Sequence, residues 1–314
     1  MLRSASGSAE SHLHEILAIF GPTAVGKTGV AIAVAERLRE RGEDPVAVSC
    51  DALQVYRGIE TLTAAPSASE REWLEHRLVG IADVGEEFSA GRFAKLARRE
   101  IDELLAEGRR PIVVGGTGLY LRAALAELEL RPPVPAEIRE QVESEIAERG
   151  TESLHGELDP ALRSGVHPND RKRIARALEL QRAGLEPPPP GGGELWTAEL
   201  RHPTALIGLT MDREAHVARI AERTREIAAA GAAEEARRAD RAGASRTARA
   251  AIGFDELLAG DIDAYERAQR AFAKRQLTWL RRLEGVEVID RTGLDDAAVA
   301  DRVTGLLDAG EAFV

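Results

Sequence analysis

A glycine-rich octapeptide near the start of the 314-residue chain constrains the fold more than any other feature. The segment GPTAVGKT, residues 21–28, matches the pattern G-x-x-x-x-G-K-[ST] and follows the apolar run 16–20. A helix-like Ala/Val-rich stretch comes directly after it. In a phosphate-binding loop, or P-loop, backbone N–H groups and the start of the following helix converge on phosphate oxygens. The strand, loop and helix predicted here therefore indicate an α/β protein that binds a phosphorylated ligand.

Short apolar or β-branched runs recur along the chain, and each is followed by a turn signal and a helical pattern. Such alternation is typical of a parallel sheet with helices on both of its faces. The predicted fold class is therefore α/β, a P-loop NTPase-like parallel sheet flanked by helices. The predicted strands cover residues 16–20, 46–50, 112–114, 205–210 and 286–289.

The segment between the third and fourth runs shows no convincing strand and favours helices over 135–148 and 170–183. The run PPPPGGG at 187–193 indicates a stiff and then flexible linker. Two long helices, over 213–238 and 261–282, are predicted after it. These patterns predict a disordered tail over 1–13, a P-loop core over 14–130 and 200–314, and a helical insertion domain with its linker over 131–199.

The chain has a net charge of −11, which taken alone argues against a nucleic-acid partner. Two basic runs, RKRIAR at 171–176 and RAFAKRQLTWLRR at 270–282, argue the other way, although such runs are most often solvated helix faces. The single cysteine, Cys50, excludes an internal disulfide framework and favours a reducing, cytoplasmic compartment. No apolar run approaches the roughly 20 residues that span a bilayer, so no membrane association is expected.

Two further predicted strands are followed by segments whose polar groups suit a phosphate-binding crevice. Asp51 follows the strand 46–50, and the carboxyl ends of parallel strands line the ligand crevice of an open α/β sheet. An aspartate at this position can hold Mg²⁺ or act as a general base, and the residues alone leave both readings open. The segment GGTG at 115–118 brings backbone and a hydroxyl to the same edge, although by itself it is a weak signal.

Several longer motifs follow one another along the chain, namely GPTAVGKT, SCDALQVYRGI, TAAPS, FSAGRFAKLAR, VGGTGLYLRAAL, HPNDRKRIARALE, AIGFDEL and KRQLTWLRR. In this order and spacing they resemble the bacterial tRNA dimethylallyltransferase family over residues 15–290. The resemblance implies that the P-loop grips the pyrophosphate of dimethylallyl diphosphate. It also implies transfer of the prenyl group to N6 of the adenosine 3′-adjacent to a tRNA anticodon. On this reading the phosphate belongs to a leaving group.

The resemblance further implies roles for individual residues. Lys27, together with Mg²⁺ on Thr28, neutralises the charge that develops on the departing pyrophosphate. Asp51 matches the family's general base, Thr117 matches a residue of the same site, and Arg223 clamps the diphosphate. The implied diphosphate-binding residues are Gly21, Pro22, Thr23, Ala24, Val25, Gly26, Lys27 and Thr28. The residues expected to bind the tRNA anticodon stem-loop are Asp51, Ala52, Leu53, Gln54, Thr117, Arg139, Lys172, Arg173, Ile174, Ala175, Arg176, Arg249, Ile252, Gly253, Phe254, Lys274, Arg275 and Gln276.

The sequence departs from the family pattern at Ala65, where a lysine is common before the proline, and at Ala250 and Phe254 in the AIGF segment. Ala52 and Leu53 stand where Ser-Met is frequent. These departures affect the RNA contacts of individual residues. They do not affect the reaction that the resemblance implies.

Three alternative functions stay open at this point. An adenylate prenyltransferase that acts on AMP or ADP needs neither the helical insertion nor KRQLTWLRR, whose presence counts against it. A P-loop kinase or ATPase with a nucleic-acid-binding lobe predicts nucleotide turnover, and no adenine-specific feature supports it. A non-catalytic RNA-binding protein with a decayed P-loop fits poorly with the intact motif. We expect a monomer with no obligate protein partner. Trp279 can stack on a base, but a large aromatic side chain among helical leucines is more often part of the core, and we expect it to pack there.

Overall fold

The computed structural model describes residues 15–309 except 129, 132 and 186–198. The predicted tail and the PPPPGGG segment lie outside the described residues. The strands of the described part are β1 Ile16–Phe20, β2 Pro45–Ser49, β3 His76–Arg77, β4 Arg110–Gly115, β5 Thr204–Thr210 and β6 Val286–Asp290. They form one parallel sheet in the order β3-β2-β4-β1-β5-β6. The predicted fold class is confirmed.

All the predicted strands are confirmed as β1, β2, β4, β5 and β6, with small differences at their ends. The additional strand, β3, pairs with Ala47 and Val48 of β2. Two residues are too few to show a period of two, which is why the sequence did not predict it. β1 lies between β4 and β5, with Leu17 opposite Ile112 and Ala205. Because all strands are parallel, their carboxyl ends lie at one edge of the sheet.

Helices cover both faces of the sheet, which explains why its central strands are apolar on both sides. Alternate side chains of β1 enter two different apolar cores, Ala18 and Phe20 into one and Leu17 and Ile19 into the other. The helices of the described part are α1 Lys27–Glu40, α2 Ala68–Trp73, α3 Ala90–Ala106, α4 Gly118–Leu125, α5 Ala136–Arg149, α6 Thr151–His155, α7 Pro160–Arg163, α8 Arg171–Arg182, α9 Arg213–Ala229, α10 Ala232–Arg241, α11 Arg246–Arg249, α12 Phe254–Leu258, α13 Ile262–Leu280 and α14 Asp296–Ala309. The first core contains side chains of α3, α4 and α13, and the second contains side chains of α1 and α14.

The chain divides into two compact units, Met1–Glu127 with Ala198–Val314 and Leu128–Thr197. The first unit contains the sheet. The second contains α5 to α8, whose apolar side chains form a separate core. The helices predicted over 135–148 and 170–183 are confirmed as α5 and α8.

One helix prediction was wrong. The stretch 213–238 does not form a single helix, because α9 ends before Gly231 and α10 starts after it. Gly231 has φ +97°, in the left-handed region that glycine adopts without the clash of a side chain. The helix predicted over 261–282 is confirmed as α13. No helix among the described residues is both long and apolar enough to cross a membrane.

Candidate active site

The P-loop connects β1 to α1 and curls around the side chain of Lys27. Lys27 Nζ donates hydrogen bonds to the carbonyl oxygens of Gly21 (3.0 Å) and Pro22 (2.9 Å). Gly26 precedes α1 with φ +90°, a conformation that strains residues with a Cβ atom. The first N–H groups of a helix have no intrahelical acceptor, so the start of α1 offers several donors together with its positive dipole end. This arrangement suits the binding of an anion.

Burial is the main influence on the charge of Lys27, and it lowers the pKa of the ammonium group to about 8. The Asp51 carboxylate opposes this shift and the Arg223 guanidinium adds to it. A diphosphate bound beside Lys27 would pair with the ammonium group and raise its pKa again. The crevice is therefore an unfavourable place for an isolated cation and a favourable one for a cation with an anionic ligand.

Asp51 lies just beyond the carboxyl end of β2. Its Oδ1 accepts a hydrogen bond from the backbone N–H of Leu53 (2.9 Å), and the backbone N–H of Gln54 also donates to the carboxylate. Burial raises the pKa of Asp51, while the two backbone donors and Lys27 oppose that rise. The result is an oriented carboxylate that is a stronger base than an exposed aspartate.

The GGTG segment joins β4 to α4, and its glycines permit close approaches from other elements. A Cβ atom on Gly115 would lie 2.2 Å from the carbonyl oxygen of Cys50, and one on Gly116 would lie 2.2 Å from Gln276 Nε2. On Gly118 it would lie 2.2 Å from the indole of Trp279, which packs against the first core as predicted. Three of the four residues of this weak motif are thus explained by packing.

Thr117, the remaining residue of GGTG, is the N-cap of α4. Its side chain makes no capping hydrogen bond. The hydroxyl is therefore not committed to the helix end, unlike that of Ser89, which accepts a hydrogen bond from Arg92 N at the start of α3. The placement leaves Thr117 suited to a polar role at the carboxyl edge of the sheet.

Thr23, in the middle of the P-loop, has its backbone fixed from two helices. Its N–H donates to Gln276 Oε1 of α13 (2.7 Å), and Gln276 Nε2 in turn donates to the carbonyl oxygen of Gly116 (2.9 Å). The Thr23 carbonyl oxygen lies 2.9 Å from Nε2 of His216 in α9. Sequence reasoning missed His216, and a single histidine in a helix gives no signal for such a contact.

Arginine side chains surround the same loop. Arg219 and Arg223 lie one turn apart on α9, and a Cβ atom on Gly26 would lie 3.1 Å from Arg219 Nη2. Arg291 is only 3% exposed and donates to the carbonyl oxygen of Val25 (2.8 Å). Burial lowers the pKa of Arg219, and Arg291 lowers it further. Sequence reasoning also missed Arg219 and Arg291, although the spacing of Arg219 and Arg223 places both on one helix face.

Comparison with known proteins identifies the family. Residues 54–283 match the family model described as IPP transferase. A curated tRNA dimethylallyltransferase from Anaeromyxobacter sp. (strain Fw109-5) is 40% identical, with 88% of this chain and 95% of that protein covered. One from Acetivibrio thermocellus is 35% identical, with 90% and 94% covered. This chain belongs to the IPP transferase family.

Solved structures agree with this assignment. The full-length tRNA isopentenylpyrophosphate transferase from Bacillus halodurans is similar with a TM-score of 0.67 at 32% identity, covering 95% of this chain and 98% of that one. A eukaryotic dimethylallyltransferase acting on tRNA shares the fold with a TM-score of 0.72 at 22% identity. This IPP transferase is thus a prenyltransferase with the P-loop fold of its structural neighbours.

The structure of this IPP transferase brings most of the expected catalytic groups together in the first unit. Lys27 interacts electrostatically with both Asp51 and Arg223. The GGTG segment is joined to the P-loop through Gln276. Arg139 and the basic run of α8 belong to the second unit.

The residues expected to contact tRNA differ in their exposure. Lys172, Arg173, Lys274 and Arg275 are exposed, whereas Ile174, Ala175, Phe254 and Gln276 have buried side chains. Three of these four side chains pack in apolar cores, and the fourth has partners for both amide atoms.

The other residues that are expected to contact tRNA have partners within the chain or are half-buried. Gln54 Nε2 donates to the carbonyl oxygen of Ala64 (3.1 Å). Arg249 pairs with Asp240 and Asp255. A Cβ atom on Gly253 would meet the ring of Tyr265. The half-buried members are Asp51, Ala52, Leu53, Thr117, Arg139, Arg176 and Ile252.

Proposed function

We propose that this IPP transferase moves the dimethylallyl group from dimethylallyl diphosphate to N6 of the adenosine 3′-adjacent to the anticodon of tRNA and releases pyrophosphate. One observation carries the proposal: a half-buried P-loop lysine and an oriented carboxylate, Lys27 and Asp51, influence each other at the carboxyl edge of the sheet. The first suits an anionic leaving group and the second suits a nucleophile that must lose a proton. Family membership supports this pairing.

The leaving group is the part of the reaction that the P-loop serves. As the allylic C–O bond breaks, its electron pair stays with the pyrophosphate and negative charge develops there. Lys27, the N–H groups at the start of α1 and the Arg223 guanidinium are positioned to stabilise this charge. We therefore assign diphosphate binding to the P-loop, residues 21–28.

Magnesium fits the donors that the loop provides. Thr28 lies in the first turn of α1, and no group of three acidic, histidine or cysteine side chains among the described residues could hold a metal ion by itself. Mg²⁺ commonly takes one or two protein ligands and completes its shell with substrate phosphates and water. Thr28 would supply such a ligand, and the bound ion would neutralise charge on the diphosphate.

Asp51 is the proposed general base. The N6 amine of adenine is a weak nucleophile because its lone pair is delocalised into the ring. As the new N6–C bond forms, the amine must lose a proton, and we assign that proton to the Asp51 carboxylate. The raised pKa of Asp51 favours this transfer. The adenosine must leave the anticodon-loop stack to reach the crevice, as in other enzymes that modify a base.

The anticodon stem-loop is the proposed macromolecular partner. Lys274 and Arg275 are exposed on α13 of the first unit, and Lys172 and Arg173 are exposed on α8 of the second. These cations can neutralise RNA phosphates in a chain that is acidic as a whole. We propose no obligate protein partner for the reaction.

The test is transfer of label from dimethylallyl diphosphate by purified protein, with Mg²⁺ present and every nucleoside triphosphate absent. Undermodified tRNA and free AMP are offered in parallel. Transfer to tRNA alone supports the proposal, and transfer to AMP alone replaces it with an adenylate prenyltransferase. ATP hydrolysis stimulated by tRNA, without prenyl transfer, would establish the ATPase alternative.

A further inference from the structure

The P-loop contains a residue in an unfavourable backbone conformation. Ala24 has φ +62°, and only Gly26 among its neighbours in the loop shares the left-handed region. For an alanine this conformation is less favourable than the ordinary regions, because the Cβ atom crowds the following carbonyl oxygen. Such a conformation persists only where surrounding contacts determine it, and it is common at ligand-binding sites.

A turn hydrogen bond from the Val25 N–H to the Pro22 carbonyl oxygen (3.3 Å) spans Thr23 and Ala24, and Thr23 carries two further contacts from outside the loop. Gln276 accepts the hydrogen bond of the Thr23 N–H, and His216 Nε2 contacts the Thr23 carbonyl oxygen, which belongs to the peptide group that joins Thr23 to Ala24. His216 is 5% exposed and Gln276 is 3% exposed, so both contacts are shielded from water. Fixing both peptide groups of Thr23 restricts the rotation that would return Ala24 to a relaxed conformation.

The two side chains come from two different helices, α9 and α13. α9 contains His216 together with Arg219 and Arg223, and α13 contains Gln276. Gln276 additionally reaches the carbonyl oxygen of Gly116 in the GGTG segment. Neither side chain has an atom assigned to the reaction, so their contribution is to the geometry of the loop.

We propose that His216 and Gln276 are positioning residues that keep the Thr23–Ala24 segment of the P-loop in the conformation that receives the diphosphate. The inference rests on the function proposed above. It predicts that the affinity for the diphosphate depends on two side chains that do not touch it.

The experiment measures the dissociation constant of dimethylallyl diphosphate, in the presence of Mg²⁺, by titration calorimetry of the full chain. His216→Leu removes one hydrogen bond and Gln276→Met removes two, and each variant places an apolar side chain at the position. We expect His216→Leu to raise the Kd roughly threefold to tenfold, the effect of one ordinary hydrogen bond, and Gln276→Met to raise it at least as much. His216→Gln retains an N–H donor and should show a smaller loss. For His216→Leu the Kd for tRNA should change less than twofold.

Gln269 provides the matched control. It is a second buried glutamine of α13, and its Nε2 donates to the Tyr265 hydroxyl (3.1 Å) rather than to either loop. Gln269→Met should therefore leave the Kd for the diphosphate unchanged. An equal loss in this control would show that any disturbance of α13 weakens binding, and it would overturn the proposal.

Relief of the strain gives the decisive readout. Glycine adopts φ +62° without a Cβ clash. His216→Leu should therefore weaken diphosphate binding much less in a protein that already carries Ala24→Gly than it does in the wild type. An equal loss in these two proteins, or affinities of His216→Leu and Gln276→Met within twofold of the wild type, would overturn the inference. Should His216→Leu fail to fold, Gln276→Met with and without Ala24→Gly carries the same test. Wild-type protein that binds no diphosphate would instead refute the proposed function.

Discussion

Two charged side chains, Lys27 and Asp51, carry opposite parts of the proposed reaction while they sit close enough to influence each other's pKa. Mutual attraction of opposite charges keeps both ionised more readily than burial alone would allow. A ligand that pairs with one of them therefore changes the other. When the diphosphate engages Lys27, Asp51 loses part of its electrostatic partner and becomes a better proton acceptor.

Asp51→Asn retains size and hydrogen bonding but removes the negative charge. We expect kcat to fall roughly 10²–10⁴-fold, the usual contribution of a general base, while the Kd for tRNA changes little. The measurement is kcat as a function of Mg²⁺ concentration. Recovery of the rate at high Mg²⁺, together with weakened diphosphate binding, would instead identify Asp51 as a metal partner.

The pH dependence of kcat/KM for dimethylallyl diphosphate should have two limbs. Lys27 acts in its protonated form, and its lowered pKa of about 8 means that kcat/KM falls as the pH rises through that value. Asp51 acts in its deprotonated form, and its raised pKa places the acidic limb above the range of an ordinary aspartate. Lys27→Arg should abolish the basic limb, because arginine stays charged. A basic limb that survives in Lys27→Arg would contradict the assignment.

Removal of the lysine charge tests the leaving-group role separately. Lys27→Ala should weaken transition-state stabilisation by about 2.7–4 kcal/mol, if Lys27 behaves like one preorganised donor in other sites. The loss is measured as the ratio of kcat/KM values for the variant and the wild type. Arg39→Ala, which removes an exposed cation at the far end of α1, is the control and should leave the ratio near one.

At the scale of elements, the turn between α9 and α10 depends on one glycine. Gly231→Ala should lower the free energy of unfolding by about 1–2 kcal/mol, because a Cβ atom meets no neighbour there and only the backbone conformation is strained. Gly305→Ala should change the free energy of unfolding in the opposite direction, because Gly305 lies inside α14 with open space around it and no positive φ. That variant should gain about 0.5–1 kcal/mol. Urea denaturation midpoints measure both changes, and we expect the midpoint to fall for Gly231→Ala and to rise for Gly305→Ala.

The basic face of α8 gives a second prediction for an element. Lys172→Ala with Arg173→Ala should raise the KM for tRNA and reduce the slope of log K against log salt by roughly 0.7–0.9 for each phosphate that the variant no longer neutralises. The KM for dimethylallyl diphosphate should stay unchanged. Arg39→Ala with Arg302→Ala removes the same charge from exposed positions on α1 and α14 and serves as the control. Equal slopes in the two double variants would show that this face of α8 is merely solvated.

The features that could be predicted from the sequence are those encoded by neighbouring residues. The octapeptide that contains Lys27, the strand that ends before Asp51 and the caps of long helices each span a few positions, and local patterns report them. The contacts that shape the loop are different, because they join residues that are 253 positions apart for Thr23 and Gln276 and 193 apart for Thr23 and His216. No periodicity spans such a separation.

At the scale of the whole molecule, the two units should respond differently to the leaving group. Pyrophosphate with Mg²⁺ at 100 times its Kd stabilises the protein that binds it by about 2.7 kcal/mol. We expect slower hydrogen exchange in residues 21–28 and α1 of the first unit, and unchanged exchange in α5 and α8 of the second. Hydrogen-exchange mass spectrometry measures both in one sample. Protection centred on α5 or α8 would relocate the anion site.

The contact between Arg291 and Val25 has a consequence for the newly made protein. The two residues are 266 positions apart, so the ribosome completes the P-loop roughly 13 to 50 s before it adds the arginine that braces it, at 5–20 residues per second. During that interval the loop lacks one of its supports, and α14, which packs on α1, does not yet exist. The nascent chain thus acquires its finished phosphate site only after Arg291 has been added, long after the loop itself has left the ribosome.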